Sequence, residues 1–340
     1  MNVWTNYEPE GREFESLRAR HVIINSRPFC HEFDRSASPG DRTRNSRPED
    51  CRVSFDLPDS PLFPEPLRPH LDRLAPGEAS VGVRIAAGLL ADPQRLSWAA
   101  GTIPAREVFP PEARFRADAY VPNGPWHNIS SADLSPSAGG SHVVVARFRE
   151  DVASEANRLI DSGGLTQALE LLAAEVNRQF DSRGRVVCDG LEVSKPGLKT
   201  VTADLDRFAL IGLHFDEWDR LPVAQRAGSR LRLGINLGPG YRYFAFLPIA
   251  AARIAALSEA AHDKPASVEA LGKAFLKSYP GFPVLRVRIE PNEMYLAPTE
   301  NILHDASTEG ILLPSRCVAF RGHLSPARAP HQPEARLGRS

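Results

Sequence analysis

Two imidazoles and one carboxylate in this chain have the types and spacing needed to hold a divalent metal ion. The segment LIGLHFDEWD, residues 210–219, ends an apolar run in His214 and Asp216. On a β-strand, residues two apart project from the same face, so both side chains can reach one ion. His304 follows a second apolar segment and supplies a third ligand. Two histidines and one carboxylate leave coordination positions open on one side of a metal, an arrangement typical of non-haem iron centres.

We expect the open coordination positions to bind a keto acid through two of its oxygen atoms. The carboxylate at the other end of that molecule then needs a cationic side chain as its partner. A guanidinium suits this role because its planar fork matches a carboxylate. Arg316 starts the run RCVAFR twelve residues after His304, and Arg321 ends that run as its competitor. In the alternating run LRLGINL, Arg232 and Asn236 share a face. Both are candidates to contact the keto acid or the substrate, and outward-facing polar positions are the alternative.

Strands must position these residues, and the chain from residue 185 onward consists of short, mostly alternating runs separated by turns. The strand-like runs are 185–189, 198–203, 207–215, 231–237, 241–247, 284–290, 293–297 and 316–321. Helical spacing predicts helices over 151–161, 165–180, 249–261 and 267–279. Ser267 is the expected N-cap of the last helix. The first two helices are expected to buttress a sheet, with a dimer face as the alternative.

Taken together, the HxD…H…R pattern resembles that of the Fe(II)/2-oxoglutarate-dependent dioxygenases. The resemblance covers residues 185–322 and implies a mainly β fold with flanking helices (α+β), around a double-stranded β-helix or jelly-roll (cupin-like) core. It implies that His214, Asp216 and His304 bind Fe(II), and that Arg316 binds the co-substrate 2-oxoglutarate.

The implied activity is an oxygenase that uses 2-oxoglutarate and O₂ to hydroxylate a small molecule, such as an amino acid or a natural-product intermediate. Asn292-Glu293 departs from the Gly-Asp turn that many family members have before the distal strand. His323 is the rival to His304 as third ligand. Two other interpretations are open: a cupin-type metalloenzyme without 2-oxoglutarate, which would not need Arg316, and a non-catalytic jelly-roll binding protein.

Composition argues against several other classes of function. The net charge is −1, so no global field favours nucleic acid or an anionic membrane. No stretch reaches the roughly 18–20 apolar residues of a transmembrane helix. The four cysteines lack CxxC spacing, which favours reduced thiols. These observations predict a cytoplasmic protein with neither nucleic-acid nor membrane partners, and they leave its oligomeric state open.

The ends of the chain differ in texture from its middle. Residues 1–50 are polar, arginine-rich and aperiodic, which predicts disorder. Within them, residues 10–20 resemble a translated transfer-RNA gene, so a start codon assigned too early is the competing hypothesis. Residues 51–324 are predicted to form a single catalytic domain, and residues 325–340 a disordered tail.

Overall fold

The structure is a computed structural model that describes residues 51–54, 81–86, 89, 94–110, 113–129, 141–204, 206–260 and 267–326. The predicted N-terminal extension, residues 1–50, lies outside the described residues, as does the predicted tail beyond Pro326. The last strand ends at Pro326, two residues past the predicted end of the domain. The described part is mainly β with helices, as predicted.

The largest sheet has seven strands, and all neighbours are antiparallel except one parallel pair, β2 and β7. Its strands in spatial order are β1 (Cys51–Ser54), β2 (Val81–Ala86), β7 (Ser141–Arg147), β14 (Glu293–Ala297), β11 (Leu231–Pro239), β16 (Ser315–Pro326) and β8 (Phe180–Ser194). β11 lies near the middle, between β14 and β16, so its side chains are flanked on both sides.

A second, five-stranded antiparallel sheet carries the distal histidine. Its strands in order are β15 (Ile302–Ser307), β12 (Arg242–Ala250), β13 (Val284–Ile289), β3 (Leu96–Ala99) and β6 (His127–Asn128). A smaller sheet contains β4 (Thr102–Pro104), β5 (Phe115–Pro122), β10 (Ala209–Gly212) and β9 (Ala203–Asp204). β10 leads directly into the proximal metal-ligand motif.

The side chains of the two larger sheets meet in a shared core. The ring of Phe244 from β12 lies 4.6 Å, centroid to centroid, from the ring of Tyr295 on β14. Strands from residues 51–147 extend both sheets, so the segment before residue 185 belongs to the same sheet system as the predicted core. The site therefore lies in a core to which most of the described chain contributes.

Five helices and a 3₁₀ turn flank the sheets in the described residues. They are α1 (Ala105–Val108), α2 (Glu150–Asp161), α3 (Leu165–Gln179), the 3₁₀ turn Val223–Gly228, α4 (Ala251–Ala260) and α5 (Val268–Ser278). α2 and α3 pack on the seven-stranded sheet, as predicted, and Asn157 Nδ2 donates to Leu237 O at 2.8 Å. Ser267 caps α5, because its Oγ accepts from Ala270 N. No helix in the described ranges is long and apolar enough to span a bilayer.

Candidate metal centre

The three predicted ligands come together in the structure. His214 follows β10 and forms an isolated antiparallel bridge with His304 on β15. Two backbone hydrogen bonds close this bridge, His214 N to His304 O at 3.0 Å and His304 N to His214 O at 2.9 Å. The imidazoles thus lie side by side, with centroids 4.6 Å apart. One ligand atom from each of His214, Asp216 and His304 lies within 4.8 Å of the others.

Both imidazoles direct Nε2 toward the carboxylate of Asp216. His214 Nε2 is 3.6 Å from Asp216 Oδ1, and His304 Nε2 is 3.6 Å from Asp216 Oδ2. The Nδ1 atoms face the carbonyl oxygens of Gly212 at 2.8 Å and Ile302 at 3.3 Å. A neutral ring that donates from Nδ1 keeps its Nε2 lone pair for a metal. Two metal–ligand bonds of about 2.1 Å span up to roughly 4.2 Å between ligand atoms, so each 3.6 Å separation between an imidazole and the carboxylate is one that a single ion can bridge.

Burial and charge favour the protonation states that a metal needs at Asp216 and His304, and they act in opposite directions at His214. Burial alone would raise the pKa of Asp216, but the Arg232 guanidinium and the two imidazoles lower that pKa far below its usual range. Burial also lowers the pKa of His304 to about 3, so this ring is neutral at ordinary pH. Burial opposes the charged form of His214 too, but the Asp216 carboxylate raises its pKa. An anionic carboxylate beside a neutral imidazole is ready to bind a cation.

The sequence between the ligands contains the residues that shape the turn. Phe215 points away from the triad and packs near Gly272 of α5, as period two predicts. Gly212, which accepts from His214, has φ +67°. A Cβ at this position would collide with the carbonyl of Tyr120 on β5. Glycine therefore allows β10 to lie against β5 while its carbonyl orients the first ligand.

Arg226, in the 3₁₀ turn, holds the backbone of the carboxylate ligand, and sequence reasoning missed it. Its side chain is 2% exposed. Nη1 donates to Asp216 O at 2.9 Å and to Glu300 O at 2.8 Å. On the other side, Asp216 N donates to Thr299 O at 3.2 Å. The backbone of Asp216 is thus tied to the strand connection that precedes His304, which fixes the distance between these ligands.

Arg232 lies at the site, as its predicted face requires. Its Nη1 is 3.4 Å from Asp216 Oδ2, and its guanidinium lies 5.1 Å from the ring centroid of Trp218. Arg321, the predicted competitor of Arg316, is its cross-strand neighbour on β16 and lies 4.3 Å from the same ring. Trp218 therefore contacts both guanidinium groups, which explains how the loop after the ligands packs onto the interior.

The structure does not bring Arg316 to the triad, so its predicted role as anchor is corrected. Arg316 Nη1 pairs with Asp161 Oδ1 of α2 at 2.8 Å and lies 3.4 Å from Asn157 Oδ1. Its side chain is 29% exposed, on the helix-covered face of β16. The next residue, Cys317, faces the interior instead. Spacing from His304 alone was a poor guide, because adjacent strand residues point to opposite faces.

Asn236 is buried, but its amide is already used by the fold. Nδ2 donates to Gly240 O and to Ile289 O, both at 3.0 Å. Oδ1 accepts from Gly238 N at 3.0 Å and from Ser315 Oγ at 3.2 Å. These bonds hold the turn between β11 and β12. The predicted contact of Asn236 with a keto acid is therefore corrected to a structural role.

A different arginine, Arg242 on β12, faces the interior. It is 2% exposed and shares its strand face with Phe244, whose ring stacks on His304 at 5.5 Å. Nη2 lies 3.3 Å from Glu192 Oε1, whereas Nε and Nη1 have no hydrogen-bond partner among the described residues. The sequence signal was present in the run YRYFAF, where alternation places Arg242 on the same face as Phe244 and Phe246.

Two other polar residues close to the ligands in sequence, His323 and Asp305, are not among the three ligands in the structure. His323 is exposed on β16 and is not part of the metal-ligand set. Asp305 is buried behind His304, where it accepts from the hydroxyls of Thr200 and Thr202. His304 Nδ1 faces Ile302 O instead of this carboxylate. Asp305 therefore anchors the segment that covers the outer face of β15.

Comparison of the sequence with protein-family models and with curated proteins gives no match.

Proposed function

We propose that this protein is an iron(II)- and 2-oxoglutarate-dependent oxygenase that hydroxylates a small molecule. The observation that carries the proposal is the buried triad of His214, Asp216 and His304, with the unsatisfied guanidinium of Arg242 in the same interior. The triad supplies three ligands and leaves positions open. The guanidinium supplies donors for an anion.

The order of the strands supports the jelly-roll core that the resemblance implies. From β8 onward the chain crosses repeatedly between the two larger sheets, apart from β9 and β10 in the smaller sheet and the consecutive strands β12 and β13 in one sheet. β8, β11, β14 and β16 lie in the seven-stranded sheet, whereas the His214 bridge, β12, β13 and β15 lie in the five-stranded sheet. Jelly rolls are eight-stranded, two-sheet folds with Greek-key connections. The two ligand-bearing segments are neighbours at one sheet edge.

The chemistry of the interior assigns parts to the residues. Iron(II) held by the triad would couple the conversion of 2-oxoglutarate and O₂ to succinate and CO₂ with insertion of an oxygen atom into a C–H bond. Arg242 would bind the far carboxylate of 2-oxoglutarate through Nε and Nη1, in place of Arg316. Phe244, the next residue after Arg242 on the same face of β12, stacks its ring on the imidazole of His304.

The unsatisfied donors of Arg242 favour this proposal over its two alternatives. A buried polar group without a partner costs about 1–3 kcal/mol, and a charged one costs more. A cupin-type metalloenzyme without 2-oxoglutarate has no use for a second cationic group at this depth. A non-catalytic binding protein has no use for the oriented imidazoles. A dicarboxylate that reaches from the metal to Arg242 explains both features.

The test is anaerobic titration of the metal-free protein with Fe(II) and then with 2-oxoglutarate, followed by visible spectroscopy. We expect a metal-to-ligand charge-transfer band that appears only when both are present and is absent in His214→Ala. Iron binding without the band would reject 2-oxoglutarate and favour the cupin-type alternative. Absence of iron binding would reject the metal centre itself.

A further inference from the structure

A group of four side chains beside the triad is not needed to bind either iron or 2-oxoglutarate. It contains Trp218, Arg232, Arg321 and Asp189, which we call the Trp218 wall. Arg321 donates to Asp189 Oδ1 from Nε at 2.7 Å and from Nη2 at 2.6 Å. Asp189 occupies a β-bulge, the extra residue between the β8 positions that pair with Ala319 and Phe320. Bulges redirect side chains and are frequent beside active sites.

Two buried atoms of the Trp218 wall, one acceptor and one donor, lack a hydrogen-bond partner among the described residues. Asp189 Oδ2 is a buried acceptor, and Arg232 Nε is a buried donor. Neither has a hydrogen-bond partner within the part of the chain that the structure describes. Both residues adjoin Arg321, one through an ion pair and one as its cross-strand neighbour. A ligand that carries both a cation and an anion would satisfy both atoms.

The charges around the Trp218 wall also favour a ligand that carries both a cation and an anion. Three ion pairs lie around the Trp218 wall and Arg242, namely Arg232 with Asp216, Arg242 with Glu192, and Arg321 with Asp189. Three positive charges therefore face three negative charges. Iron(II) and the 2-oxoglutarate dianion also cancel each other. The loaded interior would repel neither sign, so it favours a substrate with no net charge over a net anion or cation.

We infer that the Trp218 wall binds the substrate as a zwitterionic α-amino acid. The ammonium group is bound by Asp189 Oδ2, and the carboxylate is bound by the Arg232 guanidinium. Since Arg232 Nη1 lies 3.4 Å from Asp216 Oδ2, a carboxylate held there places the neighbouring carbon atoms beside the triad. This substrate class rests on the proposed function, whereas the binding of an amino acid can be measured without it.

The test is calorimetric titration of the metal-free protein, and of the protein loaded with Mn(II) and 2-oxoglutarate, with individual proteinogenic L-α-amino acids. For the tightest ligand, the matching amine without the carboxylate and the matching acid without the amino group are also titrated. We expect both single-charge analogues to bind at least about tenfold more weakly, a loss that corresponds to about 1.4 kcal/mol or more. If either analogue binds as tightly as the amino acid, or if no amino acid binds, the inference is overturned.

Two variants locate the site. Asp189→Asn removes the charge that binds the ammonium group and should weaken amino-acid binding by about tenfold or more. Asp161→Asn, at the exposed C-terminal end of α2, is the matched control and should leave binding unchanged. Equal affinity in Asp189→Asn and wild type would overturn the assignment to the Trp218 wall. The comparison of analogues on wild-type protein stands even if Asp189→Asn does not fold. Failure of the proposed function appears separately, as a missing charge-transfer band with amino-acid binding intact.

Discussion

Arg316 and Arg242 have the same side chain in two very different surroundings. Arg316 lies on the outer face of β16, partly exposed and paired with Asp161 of α2. Arg242 is buried in the interior with two nitrogen atoms unpaired within the described residues. An exposed ion pair contributes about 0–1 kcal/mol, whereas a buried donor without a partner costs about 1–3 kcal/mol. The comparison teaches why we propose Arg242 and not Arg316 as the anion-binding residue: buried donors without a partner are a better guide than distance along the chain from a ligand.

The interior has one end at the three metal-ligand residues and another at Arg242, and the two ends differ in how far their polar atoms already have partners within the protein. Around the triad, backbone carbonyls orient both imidazoles, and Arg226 fixes the backbone of Asp216. This end is arranged before any ion binds. At Arg242, Nε and Nη1 have no hydrogen-bond partner among the described residues, and the anion that we propose would supply one. The two ends should therefore respond differently to substitution.

Removing the Asp216 carboxylate takes away one of the three proposed metal ligands and should have the largest effect. Asp216→Ala leaves two neutral imidazoles, and we expect Fe(II) affinity to fall by about 100-fold or more, or about 2.7 kcal/mol. Anaerobic equilibrium dialysis with iron analysis measures this. The variant Asp161→Asn, at the exposed end of α2, is the control and should bind Fe(II) as the wild type does. Wild-type affinity in Asp216→Ala would show that the triad is not the metal site.

Paired substitution of the two arginines tests the comparison directly. Arg242→Ala should weaken 2-oxoglutarate binding by about 30- to 100-fold, the effect of losing a charge-assisted contact of about 2–3 kcal/mol. Arg316→Ala should change it less than about twofold. The charge-transfer band, titrated with 2-oxoglutarate on the Fe(II)-loaded protein, reports both. If Arg316→Ala weakens 2-oxoglutarate binding more than Arg242→Ala does, Arg316 is the residue that binds the far carboxylate.

Substitution of Arg226 tests whether Fe(II) binding depends on the hydrogen bonds that this side chain donates to the backbone of Asp216 and Glu300. Arg226→Met leaves the carbonyls of Asp216 and Glu300 without this donor and should destabilise the fold by about 2–4 kcal/mol. We also expect about tenfold weaker Fe(II) binding, since support of this kind is worth about 10–100-fold. Denaturant unfolding and metal titration measure the two effects. Arg230→Met, which removes a part-exposed pair with Asp219, is the control and should cost under about 1 kcal/mol.

Asp305, behind the triad, should have the smallest effect and a particular pH dependence. Burial raises the pKa of its carboxyl from 3.8 to about 7. Between these values the unfolded chain releases a proton that the folded protein keeps. The stability from this group is therefore fully present below about pH 4 and is lost as pH rises through about 7.

Asp305→Asn should remove this loss, which we place at about 2 kcal/mol, below the ceiling of about 4 kcal/mol that the pKa difference allows. Denaturant unfolding of wild type and variant at about pH 4.5 and about pH 7.5 measures it. An equal pH dependence in the two proteins would show that Asp305 titrates normally.

Much of the local structure could be predicted because it depends on neighbours in sequence. The helices at 151–161 and 267–279 and the Ser267 cap match the structure to within two residues. His214 and Asp216 share a face because they are two apart on an extended strand. The contribution of residues 51–147 to both sheets was not predicted. Their strands pair with distant partners, and short apolar runs do not specify a partner.

By itself the sequence determined the types of ligand, the spacing of His214 and Asp216, and the alternating strands that carry them. These properties are local, and the period of two follows from backbone geometry. Only the tertiary structure decided which face of each strand is interior. That choice sends Arg316 to α2, uses the amide of Asn236 in a turn, and buries Arg242 beside Phe244. A one-residue change of register reverses every such assignment, so strand pairing, which joins residues far apart in the chain, selects the residues of the site.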